Sequence, residues 1–294
     1  MKKLSVLLII LALLFLCSCS GSSTNYDIVA TTLPVFDFTT VICDGSGLRV
    51  GRLVTENVSC LHDYTLKVSQ MRMIESADCI VISGAGLESF LDDALSGSSA
   101  VIDASANTHV HSFEDHHNDH EDNDHGHNHD QDSHIWLSTK NATIMAQNIC
   151  DQLCTIYPQH TDTFQCNLTS LLQSLDELQR YGESQLKNLH VRDLITFHDG
   201  FAYFAEDFNL TILEAIEEES GSEASAAEII HLIDLVYTHQ LPAIFTEVSG
   251  SDACAGIIAS ETGVQIFTLD MAMSGNSYFD AMYHNIDTVK EALG

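Results

Sequence analysis

The stretch at residues 109–134 carries nine histidines and eight acidic residues in 26 positions. Imidazole is the commonest side-chain ligand for metal ions, and a His-rich tract is a compositional indication of metal binding. The composition does not place the functional ion, because such a run is either the site itself or an accessory to a site built elsewhere.

Four side chains that can bind metal lie at or shortly after the carboxyl ends of predicted strands. His62 follows the strand LRVGRLV by a loop, and His134 lies where the His-rich run returns to ordered chain at DSHIWLSTKNA. His198 ends VRDLITF, and Asp270 ends VQIFTL. In open parallel sheets, ligands collect beyond the carboxyl ends of the strands. Each residue alone also fits a capping, surface or turn role, but together they predict one metal site.

The elements that position these residues alternate from Tyr26 onwards between short β-rich runs and amphipathic helices. This rhythm is typical of an α/β fold with parallel strands. The segment TDTFQCNLTSLLQSLDELQRYGESQLKNL sustains helical periodicity for almost thirty residues, longer than an ordinary globular helix. We therefore predict two similar parallel-sheet βα lobes joined by one long rigid helix, with the metal site in the cleft between the lobes.

The predicted organisation has five parts. They are a signal peptide at 1–18, a flexible tether at 19–25, an N-terminal α/β lobe at 26–138 that includes the His-rich loop 109–133, a helical region at 139–188 that includes the linker helix 161–188, and a C-terminal α/β lobe at 189–294.

The first residues predict export and a lipid anchor. Two lysines precede the apolar run Leu4 to Leu16, which is typical of a secretory signal and shorter than an ordinary membrane-spanning helix. The following Leu16-Cys17-Ser18-Cys19 resembles a bacterial lipoprotein box with Cys19 as the lipid-modified residue. Plain cleavage with a free cysteine is the alternative. A lipid on Cys19 predicts an extracytoplasmic protein that is anchored to the cell membrane without spanning it.

The charge balance limits the classes of partner. Eleven basic residues face 42 acidic ones, for a formal net charge of -31. Such a surface repels nucleic-acid phosphates and attracts cations, so no nucleic-acid partner is expected. An odd number of cysteines follows the lipobox and none forms CxxC, so most are expected to be small buried hydrophobes. They are Cys43, Cys60, Cys79, Cys150, Cys154, Cys166 and Cys254.

Four segments, in order, resemble the signature segments of the zinc- and manganese-specific (cluster A-I) substrate-binding lipoproteins of bacterial ABC transporters. The similarity extends from about Tyr26 to the C-terminus and includes the long helix between the second and third segments. The segments are LHDYTLKVSQMRMIESADCIVISGAGLESFL, DSHIWLSTKNA, FHDGFAYFAEDFNL and ETGVQIFTLDMAMSG.

The resemblance implies that His62, His134, His198 and Asp270 hold the ion at the lobe interface, and that a membrane permease is the partner. We further predict a monomer. The sequence departs from the family at two loops, where Asp-Pro usually precedes a ligand histidine. Here Cys60-Leu61 precedes His62 and Asp132-Ser133 precedes His134, so both loops are expected to be less pre-organised.

The ligand types favour zinc. Three imidazoles and one carboxylate are typical of tetrahedral zinc. Manganese-specific relatives generally carry a glutamate in place of the third histidine, and here that position is His198. The less favoured ion is manganese, with the same role for the protein. Imidazole also accepts copper and nickel.

Two other classes of function stay open. A zinc hydrolase could use Glu247 as a general base, but four protein ligands leave no vacant position and the chain contains no HExxH. A zinc buffering or storage protein would bind mainly through the His-rich run. We instead predict that the run is a low-affinity auxiliary collector. Its ligands are His109, His111, His116, His117, His120, His125, His127 and His129.

Overall fold

The fold is described from a computed structural model. It covers residues 25–56, 58, 61, 64–95, 100–111, 131–216, 224–248 and 253–294. Two four-stranded sheets, in which every paired strand is parallel, are each flanked by helices. Among the helices of these residues, none combines the length and the apolar composition that crossing a membrane requires.

The N-terminal lobe has the strand order β2-β1-β3-β4, and every pair is parallel. Pro34 lies in the first turn of α1, where the missing amide hydrogen costs no helical hydrogen bond. The strands are β1 (Ile28–Ala30), β2 (Val50–Arg52), β3 (Cys79–Ile82) and β4 (Val101–Asp103). The helices are α1 (Leu33–Cys43), α2 (Val68–Ser76) and α3 (Asp92–Leu95), with a 3-10 turn at Ser89–Leu91.

The C-terminal lobe repeats this topology with the order β6-β5-β7-β8, so the two lobes have the same relative strand arrangement. The prediction of two similar βα lobes is confirmed. The strands are β5 (Asp193–Thr196), β6 (Thr211–Ala215), β7 (Ala243–Glu247) and β8 (Gln265–Leu269). The helices are α6 (Ala202–Asp207), α7 (Ala226–His239), α8 (Ala253–Thr262) and α9 (Tyr278–Leu293).

Helices α4 (Thr139–Ile156) and α5 (Thr161–Gln185) connect the lobes, with a 3-10 turn at Pro158–His160 between them. Helix α5 buries an apolar stripe at helical spacing, made of Phe164, Leu171, Leu175 and Leu178. It packs against α1 of one lobe and α9 of the other.

Helix α5 ends at Gln185, whereas the sequence analysis placed its end at 188. The guanidinium of Arg192 donates hydrogen bonds to the carbonyl oxygens of Leu186 and Lys187, at 2.9 and 3.1 Å. These carbonyl groups are satisfied by a side chain rather than by a further helical turn.

One hydrophobic core continues across both lobes. The rings of Phe38 and Tyr278 meet edge to face, with centroids 5.0 Å apart. Trp136 is fully buried, and its indole N–H donates to the carbonyl oxygen of Met271 at 2.8 Å. The hydroxyl of Tyr278 donates to the carbonyl oxygen of Trp136 at 2.9 Å. Because the lobes share packed aromatic side chains, their relative orientation is held by a buried apolar interface.

Free thiols are present at Cys43, Cys79, Cys150, Cys154 and Cys166. Burial raises the pKa of the Cys43, Cys79 and Cys150 thiols to about 12, so these side chains are neutral and packed as small apolar groups. Cys254 is also buried, while Cys166 is exposed. The expectation for most of the cysteines is therefore met, and Cys60 lies outside the described residues.

Candidate metal-binding cleft

His134 and His198 come from segments 64 residues apart and meet nitrogen to nitrogen. Their Nε2 atoms are 3.2 Å apart, and the ring planes are almost perpendicular at 87°. A tetrahedral zinc ion with bonds of about 2.0–2.1 Å places neighbouring ligand atoms roughly 3.3 Å apart. The separation of the two nitrogens therefore fits one edge of such a coordination sphere.

The opposite nitrogen of His134 is held by Asp132. Oδ1 of Asp132 lies 2.8 Å from Nδ1 of His134 and also accepts the backbone N–H of His134 at 2.9 Å. A proton on Nδ1, donated to this carboxylate, leaves Nε2 with a lone pair directed at His198. The carboxylate of Asp132 is only 1% exposed, so it imposes this orientation without competition from water.

Hydrogen bonds hold the loop that lacks the family's proline. The hydroxyl of Tyr203 donates to the carbonyl oxygen of Asp132 at 2.5 Å, and the N–H of Asp132 donates to the carbonyl oxygen of His111 at 3.0 Å. Ser133 is buried. These contacts from distant parts of the chain hold the loop before His134 in place, although it lacks the proline that was expected to pre-organise it.

Gly200 allows the loop after β5 to approach the ring of His134. A Cβ at this position would lie 2.5 Å from Cε of Met271 and 2.9 Å from both Cγ and Nδ1 of His134. Such contacts are too short, so any larger residue must displace the imidazole or the methionine. Glycine at position 200 is required by close packing against a candidate ligand.

Glu247 lies behind His198. Its Oε2 is 3.9 Å from Nδ1 of His198, on the side of the ring away from the Nε2 that faces His134. The side chain of Glu247 is 7% exposed and that of His198 is 19% exposed. In this position the carboxylate is a neighbour of a candidate ligand, and it can orient the imidazole electrostatically.

Asp270 follows β8, and its backbone is fixed by Asn285 of α9. The Asp270 N–H donates to Oδ1 of Asn285, and Nδ2 of Asn285 donates to the Asp270 carbonyl oxygen, both at 2.7 Å. Asn285 is fully buried. Oδ1 of Asp270 accepts the N–H of Ala272 at 2.8 Å. Asp270 lines a small open pocket together with Glu247 and with Val58 of the other lobe.

Several carboxylates are partly or fully removed from water around this cleft. Burial raises the pKa of Asp270 above its ordinary value. Burial, followed by repulsion from Asp132, raises the pKa of Asp199. Desolvated carboxyl groups of one sign favour a bound cation, which compensates their charge. The electrostatics of the cleft therefore suit a divalent ion.

The structure thus brings two of the four predicted ligands, His134 and His198, into direct contact. It places Asp270 in a pocket that is also lined by Glu247, the neighbour of His198. His109 and His111 lie near Glu206 of α6. The other predicted site residues lie outside the described residues: His62, His116, His117, His120, His125, His127, His129 and Cys19.

Sequence reasoning missed two supporting residues. Asp132 was noted only as a departure from a loop pattern, although its position two residues before His134 allows the backbone and ring contacts seen here. Glu206 gave no local signal, because its two histidine neighbours are more than ninety residues away in the chain.

Comparison with known proteins agrees with this fold. Residues 28–292 match the family ZnuA, described as zinc-uptake complex component A, periplasmic. The chain belongs to this family. The prediction of a zinc/manganese-type substrate-binding protein is confirmed at this level. The family is one of metal-binding solute-binding components of ABC transporters, and it is not an enzyme family.

Individual relatives are distant in sequence and close in fold. Zinc-binding lipoprotein AdcA of Streptococcus pneumoniae strain R6 is 29% identical over 321 residues, covering 99% of this chain and 61% of AdcA. This chain therefore spans about three fifths of that relative. A crystal structure of ZnuA is 25% identical with a TM-score of 0.78, covering 91% of this chain and 99% of the other. A manganese-bound mutant of a periplasmic metal-binding protein from Candidatus Liberibacter asiaticus shares the fold at 20% identity, with a TM-score of 0.78 over 91% of this chain and 100% of the other.

Proposed function

We propose that this member of the ZnuA family is an extracytoplasmic zinc-binding protein that captures Zn²⁺ and delivers it to an ABC transporter permease for import. His62, His134, His198 and Asp270 would bind the ion. The observation that carries the proposal is the pair of Nε2 atoms 3.2 Å apart, with the ring of one histidine oriented by the buried carboxylate of Asp132.

The donor set supports zinc as the preferred cargo. Three imidazoles and one carboxylate suit a tetrahedral borderline ion, whereas manganese prefers more oxygen ligands. AdcA is a zinc-binding protein by name, and a protein with the same fold has a solved structure with manganese bound. Manganese binding in the same role is therefore the alternative.

The position of Glu247 supports binding over hydrolysis. A general base must face a metal-bound water, whereas Oε2 of Glu247 lies nearest the nitrogen of His198 that points away from His134. A zinc buffering or storage protein is also less well supported, because the oriented His134 meets His198 of the C-terminal lobe and not another histidine of the His-rich run.

The proposal includes a membrane anchor and the domain boundaries. A lipid on Cys19 would hold the monomeric protein at the outer face of the cell membrane, with 19–25 as the tether. The lobes would be 26–138 and 189–294, joined by the helical region 139–188.

Competitive zinc titration tests the proposal. The chain from Cys19 onwards should bind one tight zinc ion, and deletion of 112–130 should leave that ion in place. His198→Ala should lose it, because one ligand is removed from a closed set. His231→Ala is the matched control, since His231 is an exposed histidine of α7 beside Glu214.

Two outcomes would contradict the proposal. Loss of tight binding on deletion of 112–130, with retention in His198→Ala, would favour a storage protein. Tighter binding of Mn²⁺ than of Zn²⁺ in the same competition assay would favour the manganese alternative.

A further inference from the structure

A second group of potential ligands lies at the beginning of the His-rich run. The ligand atoms of His109, His111 and Glu206 all lie within 4.8 Å of one another. Oε2 of Glu206 is 2.9 Å from Nε2 of His111 and 3.7 Å from Nε2 of His109. The two imidazole rings have centroids 4.8 Å apart. We call these three residues the root cluster.

The backbone beneath the root cluster is fixed. His109 forms a reciprocal pair with Asn141: its N–H donates to Oδ1 at 2.9 Å, and Nδ2 donates to its carbonyl oxygen at 2.8 Å. The N–H of His111 donates to the hydroxyl of Tyr203 at 3.0 Å, and the carbonyl oxygen of His111 accepts the N–H of Asp132. Two ligands are therefore presented from an anchored segment.

The side chains differ in how freely they can adjust. Nε2 of His111 is shielded from solvent, and no hydrogen bond to it satisfies the expected geometry among the described residues, although Glu206 is 2.9 Å away. The side chains of His109 and Glu206 are 64% and 55% exposed. Small rotations of these two can bring the ligand atoms to the roughly 3.3 Å separations of tetrahedral zinc.

We propose that His109, His111 and Glu206 form a second zinc site, weaker than the cleft site, with water in the fourth position. Two neutral imidazoles and one carboxylate are a common zinc donor set. The bound ion would join the start of the His-rich run to helix α6 of the C-terminal lobe. The choice of zinc as the ion rests on the proposed function, but the site itself does not depend on the cleft.

The cluster also touches the segment that orients the cleft histidine. Tyr203 accepts a hydrogen bond from the N–H of His111 and donates one to the carbonyl oxygen of Asp132. The carboxylate of Asp132 in turn contacts His134. An ion at the root cluster would thus restrain the chain immediately before a cleft ligand.

Zinc stoichiometry and competition titrations test this site in the whole chain from Cys19 onwards. The background variant changes the six remaining histidines of the run to Gln, which removes competing imidazoles. They are His116, His117, His120, His125, His127 and His129. We expect two zinc ions per chain, one tight and one weaker.

Adding His109→Gln or Glu206→Gln should weaken the affinity for the second zinc ion by about tenfold or more. The affinity for the tightly bound ion should stay unchanged. Both side chains are more than half exposed, so the folded state should persist, and circular dichroism checks this. His231→Gln is the matched control. His231 lies 3.5 Å from Glu214 in an exposed His–Glu pair and is not part of a three-ligand group among the described residues.

The outcomes separate this inference from the proposed function. Absence of a second ion, or a second ion unaffected by both substitutions, would overturn the root site while the tight ion remained. In His198→Ala, loss of the tight ion with the weaker one retained supports both proposals. A chain that binds zinc only through the root cluster would overturn the proposed function and leave the root site standing.

Discussion

Two histidine pairs in this protein use the same ligand chemistry in different surroundings. In the cleft, the side chains of His134 and His198 are 7% and 19% exposed, whereas at the root cluster those of His109 and His111 are 64% and 32% exposed. The carboxylate beside the cleft pair, Asp132, is 1% exposed and contacts the nitrogen that faces away from the other histidine.

At the root cluster the carboxylate of Glu206 is 55% exposed and faces the histidine nitrogens directly. A carboxylate behind an imidazole fixes its orientation, whereas one in front of it can bind the same metal ion beside the imidazole. Burial and pre-organisation, rather than ligand type, should therefore set the difference in zinc affinity between the two places.

The largest expected effect comes from removing a cleft ligand. His134→Ala should weaken tight zinc binding by more than about 100-fold, since loss of a partner behind a ligand alone costs 10–100-fold. His109→Ala, at the root cluster, should leave the tight affinity unchanged. Equal losses in the two variants, measured by competition with a chelator of known affinity, would erase the distinction between the pairs.

Removing the orienting carboxylate should have the next largest effect. Asp132→Asn keeps the size of the side chain but removes the charge that favours the Nδ1–H form of His134. We expect a loss of about 10–100-fold in tight zinc affinity. Glu206→Gln changes the other carboxylate in the comparison and should affect only the weaker ion. Unchanged tight binding in Asp132→Asn would mean that the ring is oriented by packing alone.

A smaller effect should follow from crowding the ring. Gly200→Ala should displace His134 or Met271 and weaken tight binding by about tenfold, with a stability cost of about 1–3 kcal/mol from overpacking. Gly256→Ala in α8 is the control, because its added Cβ meets nothing within 4 Å. That change should be neutral or stabilising by up to about 1 kcal/mol. Thermal unfolding and zinc titration of both variants test the prediction.

A carboxyl outside both pairs should affect stability rather than metal binding. Glu88 accepts hydrogen bonds from the Thr31 hydroxyl at 2.6 Å and from the Ser83 and Gly84 amides at 2.7 and 3.0 Å. Burial nevertheless raises its pKa from 4.5 to about 7. Between these values the folded state binds more protons than the unfolded state, so this group's contribution to stability falls as pH rises through that window.

Glu88→Gln should remove this contribution, which is at most about 3 kcal/mol for a shift of this size. Denaturant unfolding of the metal-free protein from pH 4.5 to 7 measures it as the difference between the two pH profiles. Parallel profiles for the variant and the unsubstituted protein would show that Glu88 ionises normally in the folded state.

Much of the fold could be predicted because its signals are local. Alternating β-rich runs and amphipathic helices identified the two lobes, and the apolar stripe of α5 identified the connecting helix. Strand β6 was not predicted from the sequence. It lies at the sheet edge, pairs only with β5, and all its residues are exposed or half-buried. Thr211 and Glu214 in this strand accordingly break the apolar pattern expected of a buried strand.

The sequence by itself determined the ligand types, their places after strands and the alternation of elements, since these depend on short-range periodicity and turn chemistry. Only the tertiary structure decided that Nε2 of His134 meets Nε2 of His198 and that Glu247 lies behind His198. It also decided that Glu206 lies beside His109 and His111. These contacts join residues between 49 and 97 positions apart. Packing of one core across both lobes brings these residues together, and the local sequence pattern does not predict that packing.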